Sequence, residues 1–395
     1  MPGDTGNLSA LCKQMRQFID DEVIPAEPVL LAGGTEGEHA MSTLQTRAKE
    51  AGLWALGHPR TLGGGGLSLY DFALVNEIIG RSAFGQLSVG TLSMQDSIML
   101  DLFANPKQRS RWLEPLVRGE IRPSVAMTEP EVAGSDPTAI RTTARLDDGH
   151  WVINGHKWFT TGANHAAFTT VFARTDDAER GHNAISAIIV PAGTPGLEIV
   201  RAVETMGSDH GDHCEITLTD VRVPEDHLLG KRGQGFVVAQ RRLGPGRIFH
   251  SMRWLGQAER AFELMVARAN ERFAHGSLLS EKGEIRRLIA ESAAEIQAAR
   301  LMTLDAAKRF DADGTARIEI SLIKFWGARM LHNVIDRAIQ VHGALGVTGD
   351  TPLESMYRAA RYARIYDGPD EVHRMVVART LLADPDTAPW MGLPA

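Results

Sequence analysis

A carboxylate near the C-terminus stands where two predicted helices meet. Leu353 to Tyr366 and Glu371 to Leu382 suit helices, and Gly368-Pro369 separates them. Because proline fixes φ and is tolerated only in the first turn of a helix, we expect a helix end, a sharp corner and a new helix start. Asp367 is the last side chain before that corner. It could take a proton from a ligand if its surroundings raised its pKa from about 4 toward neutrality.

The alternative for this corner is purely structural. Aspartate is a preferred residue at helix N-termini, where its carboxylate accepts hydrogen bonds from backbone N–H groups. Asp367 and Asp370 could therefore only cap the second helix.

Composition excludes several classes of function. The 395-residue chain is 43% hydrophobic, and its formal net charge is −7, from 42 basic and 49 acidic residues. This balance is not typical of proteins that bind nucleic acid or membrane surfaces. The two cysteines, Cys12 and Cys214, predict neither a disulfide framework nor a metal site. Without a signal pattern or an apolar run of membrane-spanning length, we expect a soluble, cytoplasmic protein.

Hydrophobic periodicity predicts an α+β fold with helices at both ends. Apolar residues at helical spacing predict an N-terminal helical domain over 1–121, and long helical patterns over 234–270, 284–310 and 316–342 predict a C-terminal helical bundle over 230–384. Between them, short alternating runs predict an antiparallel β domain over 122–229. Residues 385–395 are expected to form a frayed tail.

The β domain carries the clearest turn signals. Asn154-Gly155 lies between the strand-like runs Trp151–Ile153 and Lys157–Thr160, which predicts a two-residue hairpin. Asp148-Gly149 marks the turn before it. We expect further strands at 185–190, 198–203 and 214–223.

A glycine-containing segment leads into this domain. Thr128 to Asp136 reads TEPEVAGSD, and small residues such as Gly134 let backbone N–H groups approach a ligand closely. The chain resembles the acyl-CoA dehydrogenase flavoprotein superfamily over nearly its whole length. The resemblance rests on this segment, on the Asp367 corner, and on matches at 154–162, Met206-Gly207, 221–224, 229–230, 233–236 and 340–346.

The resemblance implies bound FAD as the cofactor of a flavoprotein oxidoreductase. Met127 and Thr128 would contact the pyrimidine edge of the flavin, and Gly134 and Ser135 would lie near the pyrophosphate or the acyl-CoA. Two further residues on the next segment would face the flavin ring system: Phe159 as an aromatic wall and Thr161 as a hydroxyl near N5. The alternative for Phe159 and for its neighbour Trp158 is plain core packing, and strand alternation predicts that the two rings point to opposite faces.

Family members also bind the FAD of a neighbouring subunit through the C-terminal bundle. Arg272 matches the arginine of that contact, although His275-Gly276 and Gly283 depart from the usual Phe-Gly and Gln. Gln340 and Gly343 match the loop of the facing subunit, and Glu371 falls at a polar position after the base. A homo-dimer or homo-tetramer follows from this resemblance.

The implied reaction is the α,β-dehydrogenation of an acyl-CoA thioester, a step of fatty acid metabolism. Asp367 would take the α-proton and flavin N5 the β-hydride, while the backbone N–H of Asp367 would help to hold the thioester oxygen. Most relatives have Glu at this position. The chain resembles the branch with Asp-Gly-Pro-Asp-Glu. In that branch Arg247 would start a helix facing the site and bind the substrate by steadying the carboxylate or an acyl oxygen. His250, on the same face, would meet a polar group of the substrate. Their alternatives are a surface ion pair for Arg247 and a satisfied, partly buried histidine for His250.

Three functions remain open from the sequence. The first is a dehydrogenase that passes electrons to a separate acceptor, such as an electron-transfer flavoprotein. The second is a nitroalkane-oxidase-like enzyme that uses the same Asp367 base and lets O₂ reoxidise the flavin. The third is a scaffold that has lost its chemistry. The complete flavin segment and the carboxylate at Asp367 argue against the scaffold. His250 and the Gly244–Arg247 segment resemble the acyl-CoA branch and rank the oxidase second.

Overall fold

The computed structural model describes residues 5–176, 181–206 and 211–388. Gly207 of the Met206-Gly207 match and residues 389–395 of the predicted tail lie outside the described residues. The chain divides into two compact units. A helical unit contains residues 1–59, 65–91 and 244–395, and a sheet unit contains residues 60–64 and 92–243. The helix–sheet–helix order confirms the predicted fold class, whereas the three-domain boundaries stay a prediction.

Thirteen α-helices, counted over the described residues, make up about half of the chain. They are α1 (Thr5–Phe18), α2 (Ile24–Ala32), α3 (Gly34–Glu50), α4 (Leu69–Ile79), α5 (Gly85–Ser88), α6 (Met94–Phe103), α7 (Pro106–Gln108), α8 (Glu114–Arg118), α9 (Gly235–Glu271), α10 (Gly283–Asp313), α11 (Arg317–His342), α12 (Leu353–Tyr362) and α13 (Asp370–Ala383). None of the helices in the described ranges is long and apolar enough to cross a membrane.

The core of the helical unit follows from apolar residues at helical spacing. Ile248, Met252 and Leu255 repeat every three to four positions on α9, and they belong to the same buried cluster as Ile323 and Val334 of α11. This cluster joins α9, α10, α11 and α12 around one core. Each fully buried side chain of this size adds about 1.5–3 kcal/mol to the free energy of unfolding.

The ends of these helices are fixed by capping groups as well as by packing. The chain leaves α10 through Gly314 at φ +68°, in the left-handed region where glycine is favoured. One turn earlier, the Asp311 carboxylate accepts from the backbone N–H groups of Leu69 and Tyr70 at 3.0 and 2.8 Å. It thereby caps α4 from a distant part of the chain.

The sheet unit is built on one eight-stranded sheet. Its strands are β1 (Pro123–Ala126), β2 (Thr143–Asp147), β3 (His150–Thr161), β4 (Phe168–Arg174), β5 (Ile185–Pro191), β6 (Leu197–Ala202), β7 (His213–Pro224) and β8 (Leu228–Leu229). The order is β6-β7-β3-β2-β4-β5-β8, and β1 pairs with β4 in parallel. The β1–β4 pair and a single β2–β4 bridge are parallel, and all other strand pairs of this sheet are antiparallel, as the sequence predicts. A separate two-stranded ribbon, β9 (Phe273–Ala274) and β10 (Ser277–Leu278), follows α9.

The Asp148-Gly149 turn joins β2 to β3, as predicted. Asp148 has φ +46° and Gly149 has φ +68°, and Asp147 pairs with His150 across the turn. Positive φ at both central residues is the geometry of a type I′ turn, whose twist matches that of the flanking strands.

The hairpin predicted at Asn154-Gly155 is wrong, because β3 runs through both residues without turning. The neighbouring strand β7 has an irregularity here, where Asp220 adopts φ +48°. Asn154 holds that residue twice: its Oδ1 accepts from Asp220 N at 2.8 Å, and its Nδ2 donates to Asp220 Oδ1 at 3.0 Å. Asparagine therefore serves a β-bulge in the partner strand and not a turn in its own.

Glycine is required at position 155 because the Thr142 side chain packs closely against its Cα. A Cβ built there would lie 2.2 Å from Thr142 Oγ1 and 2.6 Å from Thr142 Cβ. Thr142 cannot swing away without loss, since its hydroxyl donates to Glu129 at 2.6 Å in a buried position.

We expect Gly155→Ala to lower the free energy of unfolding by about 1–3 kcal/mol, because the added methyl group overpacks this contact. Denaturant titration followed by tryptophan fluorescence measures the change. Gly349→Ala is the matched control, since a Cβ there meets no atom within 4 Å and the residue lies in an exposed turn. Equal stability of the two variants would contradict the close-approach explanation.

Candidate active site

The corner that carries Asp367 is a left-handed turn between α12 and α13. α12 ends at Tyr362, four residues earlier than predicted, and α13 begins at Asp370. Asp367 has φ +53° and Gly368 has φ +97°. Glycine is needed at 368, because a Cβ there would lie 2.8 Å from Nε2 of His373. A positive φ is uncommon for a residue other than glycine and costs about 1–3 kcal/mol, so surrounding contacts must hold Asp367 in place.

The interpretation that the two aspartates only cap α13 is wrong. Pro369 occupies the N-cap position, and no side-chain cap bond forms there. The buried Asp370 instead pairs with Arg364 at 2.8 Å and Arg374 at 3.4 Å. The Asp367 carboxylate turns to α9, where its Oδ2 lies 2.9 Å from Nε2 of His250.

Two side chains from separate helices hold the backbone of Asp367. Its carbonyl oxygen accepts from Nε of Arg247 on α9 at 2.9 Å and from Nε2 of His373 on α13 at 3.1 Å. Burial, followed by the nearby Arg247 charge, lowers the pKa of His373 to about 4. His373 is therefore neutral near pH 7, and its Nε2 carries the hydrogen that it donates.

Arg247 does not start a helix, contrary to the expectation from the sequence. α9 continues through Pro245, so Arg247 lies inside it. The surface ion pair considered for Arg247 is also not its main contact, because its Nε reaches the backbone carbonyl of Asp367. Burial lowers the pKa of Arg247, and the charge of Asp367 opposes that effect. A partly buried guanidinium beside the corner is the result.

The sequence reasoning missed Lys324, which is fully buried on α11. Its Nζ donates to the carbonyl oxygens of Ala363 at 2.8 Å and Gly368 at 3.2 Å, one on each side of Asp367. It also lies 5.4 Å from the ring centroid of Trp254 and 5.2 Å from that of Tyr366. Burial lowers its pKa to about 8, against the opposing charges of the nearby aspartates. A lysine within an apolar helical stripe was the available signal.

His250 is the direct partner of the Asp367 carboxylate. Its Nδ1 lies against a guanidinium nitrogen of Arg253, and its ring is edge-on to Tyr366 with centroids 4.8 Å apart. Burial and then the Arg253 charge lower the pKa of His250 to about 4. The Asp367 side chain is 18% exposed. The alternative of a satisfied, partly buried histidine is therefore what the structure shows, and its partner is the candidate base.

In the sheet unit, a buried ion pair supports the predicted flavin segment. Lys157 on β3 donates to Glu129 Oε1 and to the carbonyl oxygen of Met127, both at 2.9 Å. Glu129 also accepts from the backbone N–H groups of Arg141 and Thr142. Burial lowers the pKa of Lys157 to about 8. Burial would raise the pKa of Glu129, but Lys157 and the Thr142 hydroxyl outweigh it and lower that pKa.

Met127, Thr128 and Gly134 lie together beside β3. The Thr128 carbonyl accepts from Trp158 N at 3.1 Å, and a Cβ built at Gly134 would lie 3.0 Å from Thr128 Cγ2. Gly134 and Ser135 are both exposed in the loop that follows. The structure therefore brings this segment against the strand that carries Phe159 and Thr161.

The prediction that Trp158 and Phe159 point to opposite faces is wrong. Their ring centroids lie 5.0 Å apart in an edge-to-face contact. Phe159 has φ +49°, and one extra residue of β3 opposes β7 between Lys157 and Thr160, so the strand alternation is interrupted by a bulge. The Phe159 ring is 42% exposed, which disfavours its alternative as plain core packing. Within the described residues, the buried Nε1 of Trp158 has no hydrogen-bond partner.

Thr161 is exposed two residues further along the strand. Its hydroxyl lies 2.8 Å from Nδ1 of His213 on β7. A threonine hydroxyl has a single hydrogen to donate. Thr161 can therefore donate to a ligand only when His213 carries a hydrogen on Nδ1 and donates to Thr161.

The remaining predicted residues lie elsewhere in the helical unit. Arg272 is exposed just beyond the end of α9, and 25 residues of helix place it about 38 Å from Arg247 along the axis. Gln340 is exposed in the last turn of α11, and Gly343 follows it at φ +64°, with its N–H bonded to the Gln340 carbonyl. The Glu371 side chain is 76% exposed, 3.5 Å from Arg374.

Family models match the chain in three consecutive parts. The N-terminal domain of acyl-CoA dehydrogenase matches residues 5–120, the middle domain 124–221 and the C-terminal domain 233–382. The chain belongs to the acyl-CoA dehydrogenase family. The predicted superfamily, the enzyme class and FAD as cofactor are thereby confirmed.

Individual relatives agree with this assignment. "Probable acyl-CoA dehydrogenase FadE2" of Mycobacterium tuberculosis is 44% identical over 348 residues, which cover 86% of this chain and 85% of that protein. Acyl-CoA dehydrogenase family member 10 of Mus musculus is 38% identical over 93% of this chain, which spans only 36% of that longer protein. A solved Mycobacterium abscessus structure, provisionally named an acyl-CoA dehydrogenase, superimposes with a TM-score of 0.91 at 37% identity and covers 98% of this chain and 100% of its own.

We expect Lys157→Met to lower the free energy of unfolding by about 3–5 kcal/mol, because it leaves Glu129 charged and buried without its cation. Thermal and denaturant unfolding would measure the loss. The control is Lys107→Met, since Lys107 is 86% exposed and pairs with Asp226 at 3.2 Å; its effect should stay below about 1 kcal/mol. Comparable losses in both variants would contradict the special role of the buried pair.

His156 makes the stability of the sheet unit depend on pH. Its ring nitrogens lie 2.5 Å from Glu131 and 2.9 Å from Glu215. Burial would lower the pKa of His156, but these two hydrogen bonds outweigh it and raise the pKa. A raised pKa in the folded state adds stability below the unfolded value of about 6.5, and that stability is lost as pH rises through the folded value.

The melting temperature of His156→Gln should therefore fall furthest below that of the parent near pH 5–6, and the two should converge near pH 9. Calorimetry across this range tests the sign. A difference that grows with pH would contradict the ion-pair assignment of His156.

Proposed function

We propose that the chain catalyses the α,β-dehydrogenation of an acyl-CoA thioester with Asp367 as the base. The main support for this proposal is the position of the Asp367 carboxylate, which lies at a left-handed corner and is hydrogen-bonded to His250 at 2.9 Å. A base must be ionised, oriented and sheltered from bulk water to take a weakly acidic proton. The position of Asp367 supports the last two conditions, because its side chain is 18% exposed and its Oδ2 lies 2.9 Å from Nε2 of His250.

The chain's own groups would act in sequence on the substrate. The backbone N–H of Asp367 would donate to the thioester carbonyl, so that negative charge can build on that oxygen. The carboxylate would then remove the α-proton. Aspartate is one methylene shorter than the glutamate expected for most relatives, which places its oxygens about 1–1.5 Å further back. The shorter side chain requires the substrate to sit deeper or the corner to advance.

FAD fits the residues of the sheet unit. The exposed Phe159 ring at a strained φ and the exposed Thr161 hydroxyl lie on β3, the strand that Met127 and Thr128 contact. An exposed ring at a strained position is unfavourable unless a ligand covers it. When bound, FAD would supply the hydride acceptor at N5.

A homo-oligomer is part of the proposal. Arg272 follows the end of α9, too far from Arg247 to share a contact point with it, and Gln340, Gly343 and Glu371 are exposed. These residues are therefore available to the cofactor of a second copy, where Arg272 would pair with a pyrophosphate. A separate electron acceptor, such as an electron-transfer flavoprotein, would complete the turnover. Family membership favours this reaction over the nitroalkane-oxidase alternative.

We expect Asp367→Asn to keep FAD and to lose bleaching of the flavin by acyl-CoA under anaerobic conditions, because an amide cannot accept the α-proton. Stopped-flow absorbance across a panel of acyl-CoAs of different length and branching measures the rate and identifies the preferred chain. Asp350→Asn, at an exposed turn of the same unit, is the control and should bleach at the parental rate.

Two results would contradict the assignment of Asp367 as the base of an acyl-CoA dehydrogenase. Parental bleaching by Asp367→Asn would place the base elsewhere. Rapid peroxide formation with nitroalkanes, together with no bleaching by any acyl-CoA, would replace the dehydrogenase with the oxidase.

A further inference from the structure

One face of α9 presents a chain of polar contacts to the Asp367 corner. His250 lies three residues after Arg247, and Arg253 three residues after His250, so the three share a face of the helix. Arg247 holds the Asp367 carbonyl, His250 contacts the carboxylate, and Arg253 contacts the far side of the imidazole. Trp254 completes the face and donates from Nε1 to the Tyr366 hydroxyl at 2.9 Å.

The hydrogen-bonding capacities of these groups determine the tautomer of His250. A guanidinium has donors only, so Nδ1 of His250 must accept from Arg253 and cannot carry a hydrogen. The single hydrogen of the neutral ring then lies on Nε2 and points to Asp367 Oδ2. Doubly protonated imidazole would set an N–H against the guanidinium N–H. The neutral form is therefore the one that both neighbours accommodate.

Aromatic contacts hold the ring itself. The imidazole is edge-on to Tyr366 at 4.8 Å and parallel to Trp254 at 6.1 Å between centroids. The Tyr366–Trp254 hydrogen bond fixes those two rings relative to each other. His250 is thus fixed both in tautomer and in orientation before any ligand arrives.

We propose that His250 is a positioning residue for the base: its Nε2–H, oriented by Arg253, holds Oδ2 of Asp367 and fixes the plane of the carboxylate for proton abstraction. This inference rests on the proposed role of Asp367 as base. A neutral donor stabilises the carboxylate without adding a full positive charge that would make it a poor base. His250 does not touch the substrate in this role.

The other charged or titratable groups at the corner come from three helices and from the turn. They are Arg247 and Arg253 on α9, Lys324 on α11, His373 and Asp370 on α13, and Tyr366 in the turn. Burial also lowers the pKa of Lys324, to about 8, so this lysine titrates within the range of the measurement. A pH profile of the reaction must therefore separate an acid limb, governed by the carboxylate, from an alkaline limb to which Lys324 contributes.

The test compares His250→Leu with His250→Gln in the FAD-loaded enzyme. Leucine removes the donor but keeps an apolar side chain, whereas glutamine places an N–H near the position of Nε2. The rate of anaerobic flavin bleaching is measured from about pH 5 to pH 9, together with the dissociation constant of a non-reducible acyl-CoA analogue and the flavin spectrum. His332→Leu is the control, because His332 packs on Tyr357 of α12 within the same unit.

We expect His250→Leu to bleach about 10–100-fold more slowly at pH 7 and to shift the acid limb upward by about one to two pH units, since a carboxylate without its donor is protonated more readily. The bleaching rate of His250→Gln should lie within about threefold of the parental rate, and the acid limb of its pH profile should return to the parental position. Analogue affinity and the flavin spectrum should stay parental in all three variants.

Several outcomes would overturn the proposal. A uniform loss of rate at every pH, or equal behaviour of the glutamine and leucine variants, would show that the ring acts only through packing. If His250→Leu does not fold, Arg253→Met provides the second route: it frees Nδ1 to take a proton and should add a new ionisation to the acid limb, and an unchanged profile would count against His250.

Failure of this inference and failure of the proposed function give different results. Parental bleaching by Asp367→Asn rejects the base and with it the role of His250. If Asp367→Asn shows no flavin bleaching and His250→Leu bleaches at the parental rate, only the positioning role of His250 is rejected.

Discussion

The helical unit depends on hydrogen bonds from a buried lysine and a partly buried arginine to the carbonyl groups of one strained corner. Asp367 and Gly368 are in the left-handed region, where a residue with a Cβ is unfavourable by about 1–3 kcal/mol. Lys324 holds the carbonyl groups of Ala363 and Gly368, and Arg247 holds that of Asp367. A hydrogen bond from a charged donor contributes about 1.5–3 kcal/mol, so these contacts together outweigh the strain.

The chemistry of the corner follows from how its charges are balanced. Lys324 and Arg247 donate to backbone oxygens of the corner, and Nε2 of neutral His250 lies 2.9 Å from the Asp367 carboxylate. These contacts hold both the backbone and the carboxylate of Asp367 in one orientation.

The sheet unit uses a buried pair for a related purpose. Lys157 and Glu129 are almost fully buried, and the lysine also binds the Met127 carbonyl. Buried pairs of this kind are weak evidence for stability, because desolvation offsets much of the attraction. Here the pair fixes the path of residues 127–129 beside β3, where Trp158 N donates to Thr128 O. Its main effect is therefore to define the position of the segment that the flavin is proposed to contact.

The sequence by itself determined the order of helices and strands, the family and the place of the proposed base. Periodicity predicted α9, α10 and α11, and Gly368-Pro369 predicted the corner, because these signals depend on residues close together in the chain. Only the tertiary structure decided the partners of that corner and the bulges of the sheet. Lys324 reaches Gly368 across 44 residues, and Asn154 holds Asp220 across 66. Asn-Gly favours a turn locally, but pairing with β7 and the close approach of Thr142 make it part of a continuous strand. Such contacts depend on distances between residues remote in sequence, which no local pattern encodes.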